Sequence, residues 1–314
     1  MSTTSAAVVK PRKRHEREKR ESRTGWLFAL PFFSAFIVVF LIPIVVSAYS
    51  SFFKSKPKGG GLFGGGESEN VFVGFENYQE VITNGRFWAG IGRVVGYGAF
   101  QIPVMIIAAL GLALLLDSFL TKHVTTYRLG YFLPYAIPGI VAAMVWLYLY
   151  TPEISPLVKG LHAIGINIDF MSSNVILASM ANMTTWTYTG YNMLIFLAAL
   201  QAIPADLYDA AHVDGANGWQ IVWRIKVPLV RSAALLAVLL SIIGTVQLFN
   251  EPTVMETVNP WMGKDYTPMM MSYNTMMGTI SPSGDGPASA VSIVMAAIAG
   301  LLAAVYTLVQ RRSN

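Results

Sequence analysis

Six apolar stretches of this chain carry no charged side chain: Trp26–Ser50, Val94–Leu116, Leu129–Pro152, Phe170–Ala205, Ser232–Asn250 and Gly286–Gln310. The longest runs for 36 residues and the shortest for 19. A bilayer core is crossed by about 20 apolar residues in a helix, because every backbone N–H and C=O must be satisfied within the segment. The pattern predicts an all-α membrane protein with six transmembrane helices, at about 26–50, 88–116, 129–150, 174–201, 229–250 and 288–310. Only 12% of the residues are charged, about half the share of an average soluble domain. The first run would span ~37 Å as a helix, too long for a signal-peptide core.

An even number of crossings puts both ends on one side, and the charges choose that side. With the N-terminus inside, the inner segments hold 15 Lys/Arg and the outer ones seven, while Asp/Glu run seven to ten the other way. The expected orientation has both termini in the cytoplasm, in a multi-pass protein of the inner membrane. Lys54, Lys56 and Lys58 run against the trend locally. The expected organisation is a basic cytoplasmic tail at 1–25, the first helix at 26–50, an outer loop at 51–87, a transmembrane core at 88–310 and a cytoplasmic end at 311–314. The basic tail abuts a membrane helix, so it reads as an orientation signal rather than a nucleic-acid arm. The run Gly59–Gly66, GGGLFGGG, has no Gly-Lys-Ser/Thr after it and reads as a flexible linker.

One inner loop is unlike slack sequence. Between the fourth and fifth runs lies a polar island, Asp209–Pro228, DAAHVDGANGWQIVWRIKVP. Pro204 and Asp206 predict a helix start with Asp206 as the N-cap, and Asp209 suits the positive end of that helix. Leu207, Ala210, Ala211 and Val213 give it a small apolar face. Gly215 and Gly218 are expected to break it, Trp219–Ile225 to form a second short turn, and Pro228 to open the next membrane helix.

Asp209-Ala210-Ala211, Gly215 four residues later, then Ile225 and Pro228, resembles the EAA loop of permeases from ABC importers. Asp214-Gly215-Ala216 is similar to the carbohydrate-uptake, maltose-type branch. Asp209 stands for the usual Glu, keeping the charge and losing one methylene of reach. Gly74-Phe75-Glu76-Asn77-Tyr78 is similar to a phrase found in sugar permeases of the same family, and Leu248–Pro252 to one in oligosaccharide permeases. The resemblance implies the type I importer permease fold, a five-helix core with one helix added in front. It implies that Asp209, Ala210, Ala211, Asp214, Gly215, Ile225 and Pro228 couple the loop to a separate ATPase dimer. ATP and Mg would sit on that partner, with no cofactor on this chain. It also implies a second, homologous permease and an extracytoplasmic solute-binding protein that delivers a sugar.

No feature of the chain argues for an enzyme. Gly263-Lys264 is followed by Asp265, so no phosphate loop forms; the four histidines lack metal spacing; the chain has no cysteine. Candidate solute contacts are therefore polar and aromatic groups within spans. Thr184, Thr185, Trp186, Tyr188, Tyr191 and Asn192 lie on the fourth helix; Tyr188, Tyr191 and Asn192 share one face. Gln247, Asn250 and Glu251 close the fifth. Aromatic faces stack on sugar rings, and amides and carboxylates bond hydroxyls. Trp146, Tyr148 and Tyr150 read instead as an interfacial aromatic belt. No Lys or Arg lies centrally in a span, which favours a neutral solute over glycerol phosphate esters. A self-sufficient secondary transporter would need ion-coupling carboxylates inside spans, and Asp117 and Glu251 lie at helix ends.

Overall fold

The computed structural model describes residues 12–57, 68–118 and 123–313. It divides into two compact units, residues 1–50 and 51–314. The first is a helix, α1 (Arg12–Phe36), passing through a π-helical stretch at Ile37–Leu41 into α2 (Ile42–Ser50). Helix therefore reaches back into the basic tail. The apolar side chains from Trp26 to Val46 are exposed along it, as a lipid-facing span requires.

The described residues of the segment expected as a loop at 51–87 hold secondary structure. Strands β1 (Phe53–Pro57) and β2 (Ser68–Phe72) pair antiparallel with Phe53 opposite Phe72, followed by α3 (Glu76–Thr83). The Gly59–Gly66 run lies outside the described residues. The Gly74–Tyr78 phrase has a structural account. Gly74 turns the chain at φ +58, a conformation glycine adopts without penalty. Asn77 then donates to the Ser51 and Phe53 carbonyls at 2.8 Å each, pinning α3 to the hairpin. Lys54, which ran against the charge trend, binds Glu80 at 2.6 Å and Glu76 at 3.3 Å. Burial pulls its pKa down, but the bonds to Glu80 and Glu76 outweigh it and hold the ammonium above its usual 10.5.

The rest is helical. After α4 (Gly85–Leu116) come α5 (Val124–Phe132), α6 (Gly139–Tyr150), α7 (Pro156–Ala163) and α8 (Ile176–Gln201). Then follow α9 (Ala205–Val213), α10 (Gly218–Ile221), α11 (Val227–Leu229), α12 (Arg231–Val246), α13 (Asn250–Glu256), α14 (Pro268–Met276) and α15 (Asp285–Ser313). Among the described residues four helices are long and apolar enough to cross a membrane alone, Thr24–Ser50, Gly85–Leu116, Arg231–Glu256 and Asp285–Leu308, and the number rises to as many as six when each of two bent pairs is counted as one span.

Two expected helices are interrupted. The helix at 129–150 is not continuous: α5 gives way to a 3-10 turn at Leu133–Ala136, and α6 leaves at 96°. Pro134 and Pro138 are the cause, since neither can donate the N–H that a helix needs there. The helix at 229–250 ends at Val246 and resumes at Asn250. Pro252 has no N–H for the carbonyl of Leu248, four residues back. That carbonyl accepts instead from the Thr267 hydroxyl at 3.0 Å.

Close packing of α4 on α8 forms the core. Ala109 and Ala113 meet Phe196, Leu197 and Leu200 in one cluster, while Val94 and Tyr97 join Met180 and Met183 in another. At Gly190 an added Cβ would overlap the Tyr131 carbonyl, so α5 lies against α8 with no room for a side chain.

Candidate functional site: a polar cavity and the loop below it

The break after α12 shapes a cavity of about 180 Å³ between α4, α8, α12 and α13. Irregular backbone inside a membrane is tolerated where it faces protein or a cavity. Here Gln247, Leu248 and Phe249 supply it, and all three line the space. Of the sequence candidates, Tyr188, Tyr191, Asn192, Gln247, Asn250 and Glu251 converge on this cavity, as does Thr184. Trp186 does not line it: its ring meets Trp146 edge-on at 5.9 Å. Trp186 follows Thr185 around the helix, away from the face that Thr184, Tyr188 and Tyr191 share.

A hydrogen-bonded line crosses the wall. The Tyr97 hydroxyl lies 2.6 Å from Thr184 Oγ1, which in turn donates to Glu251 Oε1 at 2.8 Å. Three elements are thereby joined: α4, α8 and α13. Asn192 Nδ2 donates to the Tyr188 carbonyl at 3.0 Å and approaches Met105 Sδ at 3.6 Å. Tyr191 stacks on Tyr135 at 4.7 Å, and Tyr188 meets the same ring edge-on at 5.6 Å. Gly139 lets α13 come close, because a Cβ there would stand 2.6 Å from Asn250 Nδ2. Tyr97, Gln101 and Met105 of α4, and Ser241 and Thr245 of α12, line the cavity too and were not singled out from the sequence. Their signal was present: Tyr97, Gln101 and Met105 repeat every four residues along one face of an apolar helix.

Of Trp146, Tyr148 and Tyr150, expected as an interfacial aromatic belt, only Tyr148 is exposed. Tyr150 is 2% exposed, donates to the Ser179 carbonyl and accepts from Asn182 Nδ2. Trp146 packs against the same core. Tyr150 is an interior residue and Trp146 a partly buried one, because Phe170, from the segment after α7, stacks on the Tyr150 ring at 4.7 Å and packs in the same cluster.

The polar island forms a compact structure. α9 begins at Ala205, with Pro204 rather than Asp206 in the N-cap position; Asp206 falls in the first turn, where its charge still complements the helix end. Asp209 and Ala210 are exposed, and Ala211 is buried. Gly215, at φ +76, closes α9. Its N–H reaches the His212 carbonyl at 3.1 Å, and Ala216 N–H the Ala211 carbonyl at 2.9 Å, the paired bonds of a Schellman turn. Asp214 is the C-cap. Gly218 breaks nothing: it opens α10 behind an Asn217–Gln220 capping box. The helix continues through a π-helical Val222–Lys226, which contains Ile225. Pro228 lies in the short α11, ahead of the membrane helix that starts at Arg231. Val213, Trp219 and Trp223 are exposed at 88, 70 and 53%.

The island is tied to the membrane core. Lys226 Nζ meets Asp117 Oδ2 at 2.6 Å, with both side chains largely buried, and the same ammonium lies 5.3 Å over the Tyr208 ring. Burial first, and the nearby Asp117 charge second, raise the Tyr208 phenol above its usual 10.0.

Residues 102–314 match the family described as the binding-protein-dependent transport system inner membrane component. Among individual proteins, the osmoprotective compounds uptake permease protein GgtC of Synechocystis is 30% identical over 235 residues, covering 72% of this chain and 78% of that one. The probable starch degradation products transport system permease protein AmyD of Thermoanaerobacterium thermosulfurigenes is 23% identical over 288 residues, covering 91% and 94%. A crystal structure of a bacterial ABC transporter involved in the import of the acidic polysaccharide alginate superposes with a TM-score of 0.75 at 17% identity, covering 95% of this chain and 99% of that one, so the two share a fold. With the spans, the interrupted fifth helix and the folded loop before it, these matches identify the chain as a member of the binding-protein-dependent transport system inner membrane component family, a membrane-spanning permease subunit of an ABC importer.

Proposed function

We propose that this permease carries a sugar, a mono- or oligosaccharide, through the cavity between α4, α8, α12 and α13. The carrying observation is the composition of that cavity. Three tyrosines offer ring faces, while Asn192, Gln247, Asn250 and Glu251 offer the amide and carboxylate groups that pair with hydroxyls. The carbohydrate-related names of relatives such as AmyD support the same class. At about 180 Å³ the space is below the roughly 300 Å³ where small-molecule pockets begin, so a sugar passes when the walls part.

The driving motion enters at the 205–228 loop. Asp209, Ala210, Asp214 and Gly215 are exposed, and Val213, Trp219 and Trp223 add an apolar surface for a partner. That partner is an ATPase dimer holding ATP and Mg, with the loop on the cytoplasmic side. A second permease completes the pore, and an external binding protein supplies the sugar. Because Lys226 binds Asp117 at the end of α4, displacement of the loop pulls on the helix that carries Tyr97.

The test is ATP-driven uptake of labelled oligosaccharides by the assembled importer in proteoliposomes. Tyr191→Ala and Asn250→Ala are each expected to lower uptake at least tenfold while basal ATP hydrolysis persists. Wild-type uptake rates in both variants would exclude the cavity as the path.

A further inference from the structure

Glu251 differs from everything else in the cavity wall. It is the one ionisable carboxylate among the lining residues, and among the described residues no Lys, Arg or His lines the space with it. Its hydrogen bond comes from a neutral hydroxyl, Thr184 Oγ1, at 2.8 Å. That hydroxyl is itself engaged by Tyr97 at 2.6 Å, so the carboxylate is held in place by groups that carry no charge. Arg93 lies one turn from Tyr97 on α4. It is committed elsewhere: its guanidinium lies 4.3 Å over the Tyr266 ring and donates to the Tyr266 carbonyl at 2.9 Å. Lys226 is committed to Asp117.

We propose that Glu251 is a charge filter: it makes the cavity selective for neutral and cationic solutes and turns anionic ones away. This rests on the reading of the cavity as the solute path. While ionised, the Glu251 carboxylate repels an anion at about 6 Å by roughly 100-fold in an equilibrium constant at an effective dielectric of ~20. A neutral sugar escapes that penalty and gains a charge-assisted hydrogen bond from its hydroxyl to the carboxylate. Uronic acids and sugar phosphates meet the repulsion with no cation in the wall to relieve it.

The chain contains no cysteine, which permits a direct test. Ser241 lies on the cavity wall, and the variant Ser241→Cys places a single thiol there in the assembled importer. Labelling of that thiol by a cationic and an anionic methanethiosulfonate, MTSET and MTSES, is followed by mass and normalised to a free thiol. The expected result is a preference of at least tenfold for the cationic reagent. Adding Glu251→Gln should collapse that preference, and Glu251→Asp should preserve it. Equal normalised rates for both reagents, or a preference unchanged in Glu251→Gln, would overturn the filter while leaving the cavity as an aqueous path. If neither reagent reached the introduced thiol with or without ATP, the path reading itself would fail.

Discussion

Two glycines illustrate how differently a missing side chain can matter. Gly190 has ordinary backbone angles, but a Cβ there collides with the Tyr131 carbonyl and the Phe132 nitrogen. Those are main-chain atoms that cannot rotate away. Gly215 has open space around its Cβ position, and only its φ of +76 excludes other residues. Gly190→Ala is therefore expected to destabilise by about 3 kcal/mol, the upper part of the overpacking range, and Gly215→Ala by about 1 kcal/mol. Unfolding of each variant in detergent or bicelles measures both; a smaller loss for Gly190→Ala than for Gly215→Ala would contradict the packing described. Gly215 was legible beforehand because it ends a helix in a spaced pattern. Gly190 was not, since close approach between α5 and α8 depends on the bend at Pro134 and Pro138, which charge-free runs do not record. Tyr150 was misplaced for a related reason. A tyrosine at a span's end looks the same in sequence whether lipid or a returning segment covers it.

Among the elements, the loop from α9 to α11 and the end of α4 act as one piece through Lys226 and Asp117. Their side chains are 14 and 16% exposed, so removing either partner leaves the other charge poorly solvated. Single variants Lys226→Met and Asp117→Asn should each cost about 2 kcal/mol, and the double variant less than the sum. The coupling energy expected from a double-mutant cycle is ~1–2 kcal/mol. Additive costs would mean that the contact does not join the two elements. Lys226 and Asp117 stand 109 residues apart in the chain, and nothing local in the sequence paired them. The cavity was legible only in part for the same reason. Tyr188, Tyr191 and Asn192 advertise themselves as one face of one helix; Tyr97 and Gln101 share a face of α4 in the same way, but nothing local in the sequence says that this face meets α8.

At the scale of the molecule, the four to six candidate spans were readable because the bilayer penalises charge so heavily that a crossing is poor in it. We propose the orientation that the charge balance favours, and it is open to direct measurement. In this cysteine-free chain, His212→Cys should react with a membrane-impermeant maleimide only from the cytoplasmic side, and Glu153→Cys only from the outside. Labelling of both from one side would reverse or rearrange the topology.

The Thr267 clasp on the Leu248 carbonyl has a mechanical corollary. Where a continuous rod would resist flexing with its whole ladder of internal bonds, α12 and α13 meet at a joint that already lacks the Pro252 rung. They can swivel about Gln247–Phe249 at the expense of only the end-of-helix bonds from Gln247 to Gly244 and from Leu248 to Thr245, and the hydroxyl can follow the oxygen it holds. The chamber can therefore dilate by pivoting one of its walls.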